Sequence, residues 1–216
     1  MEKLQLSSLS VDDILRLTQF THLRWGGTDW RPRLSAVSDD DKRQIARIVS
    51  GLSRIEPSLF NEATLWARAI FPLLFLGETD EYAACSEVSV AARFPTFELK
   101  GLVDGAIGRA FAGELRSPLI VVVEAKRGIE ASNPLSQVAG AMLAAAWQNQ
   151  QLDSRAEQLI HGAFTVGDDW TFLRGRVGAM ETDKPRFAVE VSEELNEKTE
   201  AEAIVGLVRA IVSRAV

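Results

Sequence analysis

The chain has 216 residues, of which 46% are hydrophobic and 25% charged, and its formal net charge is −6 at pH 7. These values are ordinary for a soluble globular protein of one domain, and no apolar stretch approaches the roughly 20 residues of a membrane span. One cysteine excludes an internal disulfide framework, and two distant histidines provide no zinc-ligand spacing. Because the first residues also lack the apolar core of a signal peptide, we expect a cytoplasmic protein without a membrane partner.

The first third of the sequence has helical patterns. Ser10 and Ser38 precede two amphipathic segments, SVDDILRLTQF and SDDDKRQIARIVSGL, and both serines are typical N-caps. A third and strongly apolar helix is predicted in PSLFNEATLWARAIFPLLFLGE, from about Pro57. The sequence therefore predicts an N-terminal helical region.

The middle of the chain changes to strand patterns. Three strands are predicted in YAACSEVSVAARF, LKGLVDGAIGR and LIVVVEAKRG. A long helix follows in SNPLSQVAGAMLAAAWQNQQL, with Ser132 or Asn133 as its cap and Pro134 in its first turn. Further strands are predicted in LIHGAFTVG, WTFLRGRVG and PRFAVEV, before a last helix in TEAEAIVGLVRAIVSRAV. The acid-rich segment SEELNEKTEAE, residues 192–202, also has the composition of a helix start.

This order of elements predicts an α/β fold of the α+β type, in which a central mixed β-sheet is flanked by helices. No repeat, low-complexity tract or linker interrupts the sequence, so we expect a single domain over residues 1–216. Within it, residues 1–55 are expected to form a helical extension and residues 56–216 the core.

The third predicted strand ends in two charged residues, Glu124 and Lys126, which are costly to bury unpaired. Residues two apart in a strand point to the same face, so these side chains are neighbours. Asp104 lies on the strand before. A hairpin that turns within FAGELRSP, residues 111–118, places Asp104 within about one residue of directly opposite Glu124. We therefore predict that the three side chains converge.

The acid–x–Lys pattern alone is weak, because it occurs three times, at Asp40/Lys42, Glu98/Lys100 and Glu124/Lys126. The third occurrence differs from the others in ending a buried apolar strand and in having an acid on the adjacent strand. The predicted site therefore rests on the combination of the acid–x–Lys pattern with these two features. The alternative interpretation of Glu124 and Lys126 is a salt bridge at a strand end, which usually contributes little.

A cluster of this kind suits metal-dependent hydrolysis. Two close carboxylates repel each other unless a cation binds between them, and Mg²⁺ prefers oxygen ligands while keeping several waters. The backbone carbonyl of Ala125 can offer a third oxygen. A neighbouring lysine can orient a metal-activated water for attack on phosphorus, while the metal offsets charge on the leaving oxygen. The sequence thus predicts a Mg²⁺ or Mn²⁺ site that hydrolyses phosphodiesters.

The segments LVDG at 102–105 and VVVEAKRG at 121–128, with a helix before the first strand and another after the third, resemble the PD-(D/E)xK nuclease superfamily. That superfamily contains restriction endonucleases and related DNA-processing nucleases. The resemblance covers about residues 55–175 and implies a restriction endonuclease-like fold. It assigns the superfamily's acidic and lysine motif positions to Asp104, Glu124 and Lys126. Val103 departs from the pattern, since proline is common at that position.

Many superfamily members add a glutamate from the preceding helix and a glutamine from the following one. Their best matches here are Glu62, in FNEATLWARAIF, and Gln137. We expect Glu62 to face inward, because it shares a helical stripe with Leu65, Trp66, Ala69 and Leu73. The resemblance therefore implies two sets of residues. The catalytic set is Asp104, Glu124, Lys126, Glu62 and Gln137, and the metal set is Asp104, Glu124, Glu62 and the Ala125 backbone carbonyl.

Both added residues also have ordinary interpretations. A glutamate in a first helical turn commonly offsets the helix dipole, which would explain Glu62 without a metal. Gln137 would then be a polar residue of an early helical turn.

The function that these observations predict is that of a nuclease, a magnesium-dependent phosphodiesterase acting on DNA, with endonucleolytic and exonucleolytic cutting both open. The alternative is a catalytically inactive nuclease-fold protein that binds nucleic acid or a protein partner. The acidic net charge favours that alternative, because DNA binding relies on several contacts between basic residues and phosphates. No DNA-reading motif is recognisable, so a homodimer or a protein partner is a further expectation.

Overall fold

The computed structural model describes residues 1–24, 34–54, 61–111, 114–126 and 134–214, and of residues 22–24 only the backbone. Strands β1 to β9 span, in chain order, Glu2–Gln5, Gln19–Arg24, Tyr82–Arg93, Phe97–Phe111, Glu114–Lys126, Glu157–Val166, Asp169–Gly178, Arg186–Val191 and Leu195–Asn196. Helices α1 to α6 span Val11–Leu17, Asp39–Leu52, Glu62–Leu65, Phe71–Phe75, Pro134–Asp153 and Ala201–Ser213. A short 3₁₀ helix, Leu6–Ser8, follows β1, and a π-helical segment, Trp66–Ile70, joins α3 to α4.

The described strands form one curled mixed sheet in the order β1-β4-β5-β6-β7-β8-β2, with β3 also paired to β4 and β9 to β7. The β1/β4, β5/β6 and β2/β8 pairs are parallel, and the others are antiparallel. The parallel pair β5/β6 requires a crossover, which α5 provides. The predicted mixed sheet flanked by helices is confirmed.

Two buried clusters lie on the two faces of the sheet. The first contains residues of α1 and α5 and includes Val122 of β5. The second contains residues of α2, α3, α4 and α6 and takes Val121 and Val123. Strand β5 is therefore buried on both faces, which explains why its sequence is continuously apolar rather than alternating.

Both serines predicted as N-caps form capping boxes. The Ser10 hydroxyl accepts a hydrogen bond from the Asp13 backbone N–H, and the Ser38 hydroxyl from that of Asp41. Asp41 also forms a bidentate ion pair with Arg209 of α6, at 2.7 and 2.9 Å. These bonds hold the pKa of the Asp41 carboxyl at about 2, the bond from Arg209 being the largest cause. The cap of α2 thus also fixes that helix against α6.

The N-terminal region is not only helical, which corrects the expected extension. Residues 2–5 form β1 beside β4, and residues 19–24 form β2 beside β8, although part of the second segment was predicted as the end of a helix. Both strands are short and pair with distant parts of the chain, so their local sequence carries little strand signal. None of the described helices is both long enough and apolar enough to cross a membrane.

Two other expectations change in detail. The acid-rich segment 192–202 is mostly a loop that contains β9, and α6 begins only at Ala201. Helix α5 begins with Pro134 as predicted, whereas its cap and the start of the third helix near Pro57 lie outside the described residues. In the third helical segment, the described part from Glu62 onward is interrupted by the π-helical turn.

Candidate metal and active site

Asp104 and Glu124 come together at the point where β4 and β5 separate. The antiparallel register ends with Gly105 opposite Val123, so the next residue on each strand is Asp104 and Glu124. β1 pairs with β4 only up to Lys100, so Asp104 lies where this edge of β4 has no partner among the described strands. The predicted juxtaposition of the two carboxylates is confirmed.

The Asp104 carboxylate accepts a hydrogen bond from a backbone N–H of β5 that lies beyond the end of the β4/β5 pairing. Its Oδ2 accepts the backbone N–H of Ala125 at 2.6 Å. In an extended strand the N–H and C=O of one residue point to the same side, so the Ala125 carbonyl also points toward β4. Asp104 is therefore held beside the backbone oxygen that was predicted as a metal ligand.

Glu124 and Lys126 are close together and poorly accessible. Only 4% of Glu124 is exposed, and the Lys126 Nζ lies 3.6 Å from its Oε2. By strand alternation both side chains lie on the face of Val122, which α5 covers. Lys126 keeps about 15% of its side chain exposed, so the pair can be reached from solvent at the end of the strand.

Burial makes both carboxylates of the site hard to ionise. Burial, followed by the negative charge of Asp104, raises the pKa of Glu124 to about 7, although the charge and the hydrogen bond of Lys126 act in the opposite direction. Burial also raises the pKa of Asp104, partly offset by the hydrogen bond from Ala125 and the charge of Lys126. A single lysine therefore does not neutralise the pair, and a bound cation would.

Glu62 lies near the two carboxylates but does not face inward, so that expectation is wrong. It is the exposed first residue of α3, whereas Leu65, Ala69 and Leu73 of its predicted stripe are buried. Glu62 is the first residue of α3, so it lies before the buried part of this stripe begins at Leu65. Its charge nevertheless contributes to the raised pKa of both Asp104 and Glu124.

Trp66 fixes this helical segment against the strands of the site. Its indole Nε1 donates to the Ser86 hydroxyl at 2.8 Å, and its ring lies on Gly105, next to Asp104. A Cβ at Gly105 would be 2.4 Å from the Trp66 ring, too close for any side chain. Glycine at this position thus permits the contact that keeps Glu62 near the carboxylates.

Gln137 is buried at the level of Glu124. The Asn149 side chain bonds both backbone groups of Leu119, each at 2.8 Å, which fixes the far end of α5 at the start of β5. From Asn149 back to Gln137 the helix rises about 18 Å, and from Leu119 to Glu124 the strand extends about 17 Å. Because the two lengths are nearly equal, Gln137 and Glu124 lie at the same level. Gln137 is 6% exposed, and among the described residues its Oε1 has no hydrogen-bond partner. An ordinary surface glutamine would not show this.

Glu87 is a fourth acid that the sequence did not single out. The β3/β4 register pairs Ser86 with Gly105 and Val88 with Val103, so Glu87 stands opposite Asp104 without pairing to it. Its φ is 53°, in the left-handed region that non-glycine residues rarely adopt. Its charge adds to the raised pKa of Asp104. The register of the β3/β4 hairpin was the one signal that could have indicated it.

We expect Glu87→Gly to stabilise the protein, because it removes a left-handed backbone conformation that costs roughly 1–2 kcal/mol for a residue with a Cβ. The flexibility of glycine in the unfolded chain offsets part of this gain, so the melting temperature should rise by about 2 °C. Thermal unfolding followed by circular dichroism measures it. Glu87→Gln keeps the Cβ and removes the charge, and it serves as the control. A lower melting temperature for Glu87→Gly than for Glu87→Gln would show that the left-handed backbone at this position is not strained.

A second acidic group lies near the same end of β5. Glu197 is fully buried, its Oε2 accepts the Trp170 indole N–H at 3.2 Å, and burial raises its pKa to about 7. Asp168, in the predicted turn between β6 and β7, forms an ion pair with Lys198. The residue before it in the turn, Gly167, donates its N–H to the Lys126 carbonyl at 3.0 Å. The GDDW segment is thus a turn, as expected, but it also anchors the end of the strand that carries Lys126.

The donor atoms fit a hard divalent cation. Asp104, Glu124 and the Ala125 carbonyl offer oxygen ligands, and Mg²⁺ in proteins is commonly held by one or two carboxylates with waters completing its shell. In the part of the chain that the structure describes, no group of three His, Cys, Asp or Glu residues is placed to hold a metal ion. The two carboxylates and the carbonyl would therefore need waters or substrate oxygens to complete the shell of an ion.

Comparison with known proteins does not assign the chain to a family. No protein-family model matches the sequence, and no curated protein matches it significantly. The chemistry of the site therefore carries the functional argument, because a fold by itself does not define an activity.

Proposed function

We propose that the chain is a metal-dependent phosphodiesterase that cleaves nucleic acid, with DNA as its substrate and a restriction endonuclease-like core. The observation that carries the proposal is the placement of Asp104 beside Glu124, with Lys126 3.6 Å from Glu124, at the end of a strand buried on both faces. A structural salt bridge would need one acid and one base, whereas this site holds two acids, Glu124 buried and Asp104 half-buried, beside one base.

Each residue of the cluster has a distinct role in this proposal. Asp104, Glu124 and the Ala125 carbonyl would hold a Mg²⁺ or Mn²⁺ ion. When bound, such an ion supplies Lewis-acid chemistry, lowering the pKa of water and offsetting charge on phosphoryl oxygens. Lys126 orients the attacking water through its ammonium group. Gln137 offers its unpartnered Oε1 as an acceptor for that water.

The more exposed acids fit supporting roles. Glu62 and Glu87 are both exposed and both add negative charge around Asp104. Their carboxylates can attract a hydrated cation without binding it directly, because field effects extend over about a Debye length of 8–10 Å. Of the two, Glu62 is the one that the superfamily resemblance also implies.

The alternative function is a protein of the same architecture that binds nucleic acid or a protein without cutting. The net charge of −6 favours it, since the phosphate backbone repels an acidic surface. In the cutting form, association with a second copy or with a partner protein would supply the missing basic contacts. Divalent metal binding separates the two functions, because only the cutting form requires it.

Calorimetric titration with Mn²⁺ tests the proposal. We expect the metal-free protein to bind Mn²⁺, and Asp104→Asn to weaken that binding at least tenfold, since a ligand carboxylate is lost. Glu98→Gln is the matched control, because Glu98 belongs to the acid–x–Lys pattern of β4 but pairs with Arg93 at 3.4 Å, away from Asp104. Cleavage of single- and double-stranded DNA and RNA is then assayed with Mn²⁺. Absence of Mn²⁺ binding, or equal Mn²⁺ binding by all three proteins, together with no cleavage would favour the non-cutting alternative.

A further inference from the structure

A cavity of about 440 Å³ opens at the opposite end of the sheet from the acidic cluster. It lies where β5 and β6 begin and where α5 and α6 end, between Ile120, His161, Asn149 and Ile211. The strand length from Ile120 to Glu124 corresponds to about 13 Å. The cavity is therefore separate from the proposed metal site, although both use β5.

The lining of the cavity has more basic than acidic side chains, although the protein as a whole is acidic. Four arginines line it, against two acids, Asp153 and Glu157, while the whole chain carries a net charge of −6. The four are Arg109, Arg155, Arg174 and Arg214.

Three of these arginines have carboxylate partners. Arg174 pairs with Glu190 at 2.7 Å, Arg155 with Asp153 at 3.3 Å and Arg109 with Glu81 at 3.8 Å.

Arg214 differs from the other three. In the described part of the chain it forms no ion pair, and it lies at the C-cap of α6 at the rim of the cavity. Arg214 and Arg174 both line the cavity; the charge of Arg214 acts on Arg174, and both charges act on His161. Two like charges that line one partly buried space repel each other, and an anion between them removes that repulsion.

His161 adds an uncharged polar side chain to the cavity. It is the cross-strand partner of Arg174, and burial, followed by the charges of Arg174 and Arg214, lowers its pKa to about 3. Its imidazole is therefore neutral at physiological pH and can donate one hydrogen bond or accept one. The site thus offers arginine donors and a neutral histidine to an anionic ligand.

The remaining wall of the cavity is apolar. Ile120 and Ile211 belong to the buried cluster on the α6 side, while Leu152 and Leu159 are exposed at the rim. The Asn149 amide is occupied by the backbone of Leu119 and is not available to a ligand. A ligand for this cavity therefore combines an anionic group with an apolar or aromatic part.

We propose that this cavity binds a small phosphorylated molecule, its phosphate held by Arg214 and Arg174 and its ring system lying against the exposed Leu152 and Leu159. Guanidinium groups bind phosphate through paired, charge-assisted hydrogen bonds. The cavity volume lies within the range of small-ligand pockets, roughly 300–1,000 Å³, and accommodates a nucleoside monophosphate. The proposal is independent of the function proposed for the acidic cluster.

Calorimetric titration with adenosine 5′-monophosphate tests the proposal, with adenosine as the uncharged comparison. We expect the monophosphate to bind and adenosine to bind at least tenfold more weakly. Arg214→Gln should weaken monophosphate binding at least tenfold, because a charged donor is lost; the side chain is exposed, so the variant should fold. Arg43→Gln is the control, since Arg43 is an exposed arginine of α2 paired with Asp40 and does not line the cavity.

A second readout locates the ligand. The protein has two histidines, so His22→Gln assigns the imidazole resonances of His161, which should shift when the monophosphate binds. Absence of binding, unchanged affinity in Arg214→Gln, or an unchanged His161 resonance would each overturn the proposal. A 5′-phosphorylated oligonucleotide that binds when the monophosphate does not would also overturn it, in favour of a nucleic-acid end. Glu124→Gln should bind the monophosphate normally, which separates this site from the proposed nuclease function.

Discussion

Glu124→Gln is expected to make the metal-free protein more stable at pH 8 by about 2–3 kcal/mol, and at the same time to abolish cleavage. The pKa of Glu124 is about 7 instead of its ordinary 4.5, because the side chain is buried beside Asp104. A difference of this size corresponds to about 3 kcal/mol that opposes ionisation in the folded state. Glutamine has nearly the same shape and no charge, so it avoids this cost.

The sign of the pH dependence follows from the direction of the pKa change. Below about pH 4.5 the glutamate is protonated in both states and contributes nothing to the difference. Between pH 4.5 and 7 the unfolded chain loses its proton while the folded protein keeps it, so stability falls as the pH rises. Above pH 7 both states are ionised and the full cost is present. The stabilising effect of Glu124→Gln should therefore be small at pH 4.5 and largest above pH 7.

Urea unfolding in the presence of EDTA, at pH 4.5 and pH 8, measures this effect. Glu98→Gln provides the control, because Glu98 is a strand glutamate whose partner, Arg93, is largely exposed. Glu197 has a similarly raised pKa in both proteins, so its contribution cancels in the comparison. A variant that is less stable than the native protein at pH 8 would show that the Lys126 ion pair outweighs the burial of Glu124.

The same substitution should lower the cleavage rate at least a thousandfold. Glu124 supplies one of the two carboxylates of the proposed metal site, and an amide is a weaker ligand for Mg²⁺ than a carboxylate. A residue whose replacement stabilises the fold while removing activity is maintained for function rather than for folding. Loss of activity with loss of stability would instead indicate that the cluster is structural.

The sequence predicted the centre of the site because that part of the fold is local. A hairpin turn of known position sets which residues face each other, so Asp104 and Glu124 could be paired from the chain alone. The double burial of β5 was likewise visible as a continuous apolar run. Both features depend on residues fewer than about 25 positions apart.

Other features depend on distant or unusual contacts and had no local signal. β1 pairs Glu2 with Phe97, and β2 pairs Gln19 with Arg186, so both strands are stabilised by partners far along the chain. The exposure of Glu62 follows from its position at the start of α3, whereas the sequence pattern placed the start of this helix near Pro57. The sequence does not predict the left-handed backbone at Glu87, since neither glycine nor asparagine occupies that position.

Lys126→Met is expected to lower the cleavage rate by about 10²–10⁴ while leaving Mn²⁺ binding in place at pH 8.5. General acid–base and orienting groups contribute rate factors of this size. Methionine retains the apolar part of the side chain, of which about 15% is exposed, and removes only the ammonium group. The lysine is not a metal ligand, and its positive charge opposes a cation nearby, so Mn²⁺ affinity should not fall.

The pH dependence distinguishes an orienting role from a structural one. The charge of Lys126 lowers the pKa of Glu124, so its removal should shift Mn²⁺ binding to higher pH, because the metal competes with the proton for Glu124. Cleavage should remain low even at the pH where Mn²⁺ binding is restored. Lys100→Met is the matched control, since Lys100 is the exposed lysine of the Glu98/Lys100 pair on β4. If cleavage and Mn²⁺ binding recover together as the pH rises, Lys126 acts only by setting the charge of Glu124, and the attacking water is oriented by another group.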